Sequence, residues 1–155
     1  MYEYKKILVP VDFSAHSLEA SRRALDLAQK LGAEVAFLHV IDSRYVEIGM
    51  GHVIEDPVEE QERLKKLATE RMRDFLKRLH LDPGKARIII AEGIPHREIV
   101  RVAEEERPDL LVIGSHGRSG MQRAILGSQS ELVVRHCRVP ALVVHATPEE
   151  LASGD

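Results

Sequence analysis

The stretch from Asp109 to Ser130 reads DLLVIGSHGRSGMQRAILGSQS. Four apolar residues, Leu110 to Ile113, are cut off by Gly114. A short unbroken apolar run of this kind is the pattern of a strand buried on both faces of a parallel sheet. Three glycines then fall at fixed positions, Gly114, Gly117 and Gly127, with Ser128 directly behind. Glycine opens positive φ to the backbone and lets a ligand approach the main chain closely. Ser128 is expected to cap a helix running from about Gln129 to Cys137, whose first N–H groups would point back at the glycine loop. A glycine-rich loop feeding a helix N-terminus is an anion site, through free N–H donors and the positive end of the helix dipole. Arg118, inside the loop, adds a planar cation suited to phosphate; its alternative is a solvated loop charge.

Outward from this stretch, strands alternate with helices. Ile7–Val11 and Glu34–Ile41 read as buried strands, and a third is expected over Ala86–Ala91 and a fifth over Ala141–Val144. Between the first two, Ser14 is placed to cap a helix whose apolar residues Leu18, Ala24, Leu25, Ala28 and Leu31 recur at helical spacing up to Gly32. Glu59–His80 carries one apolar stripe (Leu64, Ala68, Met72, Phe75, Leu76, Leu79), and a further helix starts near Pro95 with Ile99, Val102 and Ala103 facing inward. Residues 43–57 show no period and read as a long loop or a short irregular helix, and loops of this length are often functional lids. The tail, 147–155, is expected to fray. This alternation argues for an α/β domain with a parallel sheet covered on both faces.

The glycine pattern G-x2-G-x9-G-S, joined to the opening Lys6-Ile7-Leu8-Val9-Pro10-Val11-Asp12 and the closing Val139-Pro140-Ala141-Leu142-Val143-Val144, resembles the ATP-binding branch of the universal stress protein family over nearly the whole chain. The resemblance implies one domain over residues 1–146: a single open five-stranded parallel sheet in the order 3-2-1-4-5, of the Rossmann-like, adenine nucleotide alpha-hydrolase-like type. In such sheets ligands lie beyond the carboxyl ends of the strands where the order reverses. Here that is between strands 1 and 4, so Asp12 and Gly114 would flank one crevice.

The same resemblance implies the roles of single residues. Asp12 would serve the ribose hydroxyls or a phosphate-bound Mg²⁺; its alternative is to organise the turn into the first helix together with Ser14. Pro10 and Val11 would line the adenine end, and Val40 would offer backbone groups to the adenine edge. Gly114, Gly117, Arg118, Gly127, Ser128, Gln129 and Ser130 would surround the phosphates. Gln129 stands where the family has a small apolar or hydroxyl residue. The implied ligands are ATP and Mg²⁺, and the implied assembly is a homodimer through the terminal strand. That strand reads as an edge with apolar residues on both faces.

Composition narrows the alternatives. The chain has 155 residues, 44% hydrophobic and 30% charged, as in an ordinary globular domain. A net charge of −3 gives no reason to expect nucleic acid. The single cysteine, Cys137, excludes an intrachain disulfide and suits a cytoplasmic location. No run approaches the ~18 apolar residues of a membrane span. His16, His39 and His116 fall near the expected ligand edge, but none pairs at metal-site spacing. There is no GxxxxGK[ST] loop, no G-x-G-x-x-G and no G-x-S-x-G elbow, and the loop offers no Lys for a leaving phosphate. The expectation is therefore a nucleotide-dependent switch or sensor in stress response, acting on a protein partner the sequence does not identify, with at most weak ATPase activity. The alternatives are a slow ATP hydrolase and a homodimeric interaction module that binds no nucleotide.

Overall fold

Lys6–Pro10 forms strand β1, in which Ile7, Leu8 and Val9 are all buried. In the computed structural model, which describes residues 1–44, 56–117 and 126–153, β1 lies at the centre of the sheet. On one side it pairs with β2 (Glu34–Asp42), which pairs in turn with β3 (Arg87–Gly93). On the other side it pairs with β4 (Leu110–Gly114), which pairs with β5 (Ala141–Val144). All pairings are parallel, and the order is β3-β2-β1-β4-β5, as the resemblance implies.

Alternation along each strand divides the core between two faces. Ile7, Val9, Phe37, Leu110 and Val112 meet Leu18, Ala20 and Ala24 of α1 (Ala15–Leu31) and Met72, Phe75 and Leu76 of α2 (Pro57–Arg78). Leu8, Ala36, Leu38, Leu111 and Ile113 meet Ile99, Val102 and Ala103 of α3 (Pro95–Glu106) and Val133 of α4 (Ser128–His136). Because both faces are covered, the central strands carry unbroken apolar runs, which is why they were legible as strands.

The helix ends follow local chemistry. Ser14 caps α1 by accepting from Ser17 N, and Gly32 closes it in the left-handed conformation at φ 64°. Asp56 caps α2 by accepting from Val58 N and Glu59 N, with Pro57 as its first residue. Asp56 and Pro57, read as the end of a loop or short irregular helix, thus belong to the start of α2; residues 43–44 are helical, and residues 45–55 lie outside the described residues. The tail is also corrected. Thr147 and Glu150 form a capping box that starts a short helix, α5 (Pro148–Ala152), and Glu150 meets Arg23 of α1 at 3.0 Å. The order of strands reverses at β1, so the carboxyl ends of β1 and β4 open side by side.

Candidate functional site

The crevice begins where β1 ends. Val11 is buried; its N–H completes the ladder by donating to Leu38 O (2.7 Å), and its carbonyl accepts from His39 Nδ1 (2.7 Å). Val11 and the buried Pro10 are thus wall residues, with the backbone of Val11 fully engaged. Since Leu38 turns its carbonyl toward β1, alternation turns the N–H and C=O of Val40 the same way. Val40 lies two residues past the last β1–β2 pair, Pro10↔Leu38, so these groups face the crevice rather than a strand.

Asp12 then does two things. Its Oδ1 accepts from Ser14 N at 3.0 Å, which is the turn-building alternative realised. Its Oδ2 lies against Gly117: a Cβ placed on that glycine would stand 2.6 Å away. Between them in sequence, Phe13 takes φ 65°, a conformation costly to a residue with a bulky side chain. Its ring is held by His39 (centroids 4.4 Å apart), by Phe75 (5.9 Å) and by the Arg71 guanidinium 4.4 Å from its centroid. This packing offsets the strain and sets the sharp turn that brings Asp12 to the crevice. Nothing in the sequence marks Phe13; a strand-to-helix turn with no glycine in it is the nearest thing to a signal.

On the β4 side the connection closes on its own neck. Ser115 N donates to Val144 O (2.9 Å) and Gly127 N to Ser115 O (2.6 Å), while the buried Ser130 gives its hydroxyl to Gly114 O (2.8 Å). Ser130, expected to reach a phosphate, instead pins the first turn of α4 to the end of β4. Ser128 is not the cap; Gly127 is, with no side-chain bond, and Ser128 is the exposed first helical residue. With no capping side chain, the N–H groups of Ser128, Gln129 and Ser130 stay at the open end of the helix, before the first intrahelical bond from Glu131 N to Gly127 O.

The glycines act through size. None of the three takes positive φ, contrary to expectation. A Cβ on Gly114 would stand 3.0 Å from the backbone of His16, and one on Gly127 3.1 Å from His116 Cα. Gly114 lets α1 dock on β4, and Gly127 lets α4 return to the neck. Gln129 turns away from the crevice, its Oε1 accepting from His96 N at 3.1 Å and lying 3.0 Å from His96 Nδ1. It caps α3, whose own N-cap residue Ile94 cannot. Arg118 lies outside the described residues.

The histidines divide. His39 serves Val11, whereas His16 and His116 meet across the crevice with ring centroids 5.3 Å apart. Burial, and next the nearby His116, hold His16 below its ordinary value; Asp12 opposes and His145 reinforces the shift. Among the described residues no three His, Cys, Asp or Glu side chains form a metal cage. Asp12, a carboxylate at the carboxyl end of β1, is a described residue that could share a cation with a ligand's own oxygens, the manner in which Mg²⁺ is commonly held. Two cavities, of about 360 and 540 Å³, lie at the opposite, amino edge of the sheet, lined by residues such as Lys6, Lys85 and Arg87 and Leu25, Phe37 and Leu81. Neither touches the crevice. No described helix is long and apolar enough to cross a membrane.

With this geometry established, comparison with known proteins gives consistent matches. The model of the universal stress protein family matches residues 3–145. Universal stress protein MJ0531 of Methanocaldococcus jannaschii is 35% identical over 153 residues, covering 95% of this chain and 85% of the relative. Universal stress protein MJ0577 of the same organism is 35% identical, covering 91% and 94%. The solved structure of MJ0577 superposes with a TM-score of 0.78 over 94% of this chain and 99% of its own, at 38% identity. A universal stress protein solved in complex with cAMP shares the fold, with a TM-score of 0.61 at 24% identity over 94% of this chain and 100% of its own.

Proposed function

The chain belongs to the universal stress protein family, and from that premise we propose that the crevice binds ATP with Mg²⁺ and that the protein works as a nucleotide-dependent switch in stress response. The observation that carries this reading is the uncapped N-terminus of α4 facing the Asp12–Gly117 contact. Three backbone N–H groups and a helix dipole are left for an anion at the point where the main chain cannot come closer without losing its glycines. The backbone of Val40 supplies the donor and acceptor that an adenine edge requires. Asp12, at the carboxyl end of β1, is the carboxylate that would meet a ribose hydroxyl or Mg²⁺; the metal, when bound, would neutralise phosphate charge.

The residues do not favour rapid turnover. Asp12 is the carboxylate of the crevice, and one of its oxygens already serves the α1 turn. Ser130 has its hydroxyl committed to Gly114 O. Binding with slow or no hydrolysis is the reading that suits such a site.

The second part of the proposal is a homodimer through β5. This strand has a neighbour on one side, β4, and exposes Ala141 and Leu142, the latter at 42%. An apolar edge strand of this kind pairs with a second copy. Light scattering at micromolar concentration is expected to give twice the chain mass, and Leu142→Lys to give the monomer.

The nucleotide reading is tested by thermal melts with and without Mg-ATP. At a hundredfold its dissociation constant a ligand adds about 2.7 kcal/mol, a rise of several degrees for a domain of this size. The rise is expected in the wild type and lost in Gly117→Val, whose side chain would displace Asp12. No rise in the wild type at millimolar ATP would overturn the reading and leave the interaction module.

A further inference from the structure

One feature of the crevice goes beyond nucleotide binding as such. His16, on the first turn of α1, lies against β4: its Cβ stands 3.0 Å from the Cβ position of Gly114. Its Nδ1 is shut off from solvent and has no hydrogen-bond partner. A buried ring nitrogen in that state is costly to leave unpaired and costlier to charge.

The groups around it come from every element packed there. His116 follows β4, its ring 5.3 Å from that of His16 and its Nδ1 2.9 Å from Ser115 Oγ. His145 follows β5 and Asp12 follows β1, and both act on His16 through space. One turn along α1, Glu19 is held by Arg22 at 3.2 Å and Arg23 at 3.3 Å, and Arg23 also reaches Glu150 of α5. The carboxylates farther off are thus neutralised by arginines. Among the described residues two imidazoles face His16 against a single carboxylate, so these surroundings favour a neutral ring until another anion arrives.

That anion has a place to come from. His116 Cδ2 lies 3.6 Å from the Cβ position of Gly127, the residue at the N-terminus of α4. The imidazole pair therefore borders the helix end that the nucleotide reading assigns to phosphate.

We propose that His16 takes up a proton when a phosphate group enters the crevice, so that phosphate-bearing nucleotides bind more tightly as pH falls and the bare nucleoside does not. The inference rests on the nucleotide reading and adds to it a proton as co-ligand and a preference for charged phosphate esters. An anion beside an imidazole stabilises the imidazolium, and by reciprocity the proton stabilises the bound anion to the same extent. Each unit by which phosphate raises the His16 value is a tenfold gain in affinity on the acid side.

The test is calorimetric titration of the full chain with metal-free ATP and with adenosine at neutral pH, in buffers of different ionisation enthalpy. For ATP the observed heat is expected to depend on the buffer, reporting proton uptake, and for adenosine to be the same in all. The ligand's own phosphate titrates in this window, so the comparison that decides is with His16→Gln, in which the uptake should fall away. The wild type alone supplies a second readout: the His16 ring carbons should move to imidazolium shifts on adding ATP. ATP heats that do not vary with buffer, or uptake that persists in His16→Gln, would overturn the proton role while leaving nucleotide binding intact. If neither ligand gives heat, the nucleotide reading fails and the inference falls with it.

Discussion

The two ends of one sheet are built to opposite rules. At the amino edge the groups around Asp109, Glu106 and the ends of α1 and α3 find partners within the chain. Asp109 Oδ2 accepts from both Lys5 N (2.8 Å) and Lys6 N (2.9 Å). Lys6 Nζ meets Glu106 at both its carbonyl and its carboxylate, and Arg87 joins the same carboxylate. Two of the helices that end there, α1 and α3, stop in left-handed caps at Gly32 and Arg107, whose N–H groups donate back into the last turn. At the carboxyl edge polar groups are left open: the α4 N-terminus has no side-chain cap and His16 Nδ1 is buried without a partner. Left-handed backbone at non-glycine residues does not separate the edges, since Phe13 takes it here and His80 and Arg107 at the other. Both edges belong to the same strands, so the difference is not one of fold stability. It marks the carboxyl edge as the one shaped for something other than the chain itself.

The largest break in this contrast is expected from Gly114→Val. The new side chain would meet the backbone of His16, which cannot rotate away, and overpacking of this kind costs about 3 kcal/mol. Both stability and the Mg-ATP shift should be lost, since α1 and β4 frame the crevice together. Chemical denaturation would show it as a lower midpoint at unchanged slope. A variant as stable as the wild type would mean that α1 is not held against β4 as described.

Asp109→Ala is the matched break at the other edge. Two backbone N–H groups lose a charged acceptor in a partly exposed position, a cost of about 1–2 kcal/mol. Here the melting temperature should drop while the increment added by Mg-ATP stays at its wild-type size. An increment that shrinks in parallel would show the two edges to be coupled, and the contrast drawn above would fail.

How far the sequence foretold each edge follows from the same contrast. The sheet was legible because burial on both faces writes itself as unbroken apolar runs, as in Leu110–Ile113. Helix α1 was legible because Ser14 and Gly32 act on their immediate neighbours. The strand order was not written in any local pattern and came from the resemblance alone. At the crevice the glycines were marked for positive φ and for close approach to the main chain. Gly117 and Gly114 avoid positive φ and are small because Asp12 and His16 arrive from distant points of the chain. Gln129 was assigned to the ligand because its neighbours were, yet it reaches sideways to His96. The strain at Phe13 depends on His39, Phe75 and Arg71, none of which is near it in sequence. The short helix α5 was the one local signal overlooked, since Thr147-Pro148-Glu149-Glu150 has the spacing of a capping box.

A smaller effect is expected of Glu106→Gln. It removes the carboxylate shared by Lys6 and Arg87, but the Lys6 amine keeps the Glu106 carbonyl and Arg87 is half exposed. Exposed pairs of this kind contribute less than about 1 kcal/mol. The loss should shrink further in molar salt. A loss of several kcal/mol would mean that the amino edge is also held under strain.

The smallest effect at neutral pH, and the sharpest test of the carboxyl edge, is the acid limb of His16→Gln without ligand. In the folded chain His16 titrates below 6.5, chiefly through burial and then through His116. As pH falls past 6.5 the unfolded chain takes the proton first, so the folded state loses stability. The loss grows until pH passes the folded value of His16 and then levels off; above both values it is absent. His16→Gln should therefore match the wild type near pH 8 and be more stable near pH 5, read as denaturation midpoints that coincide at pH 8 and separate as pH falls. Parallel pH profiles for the two proteins would show that the ring is not held neutral by the fold. The unpartnered nitrogen would then be an incidental feature of α1 packing, and the asymmetry between the edges would rest on the α4 N-terminus alone.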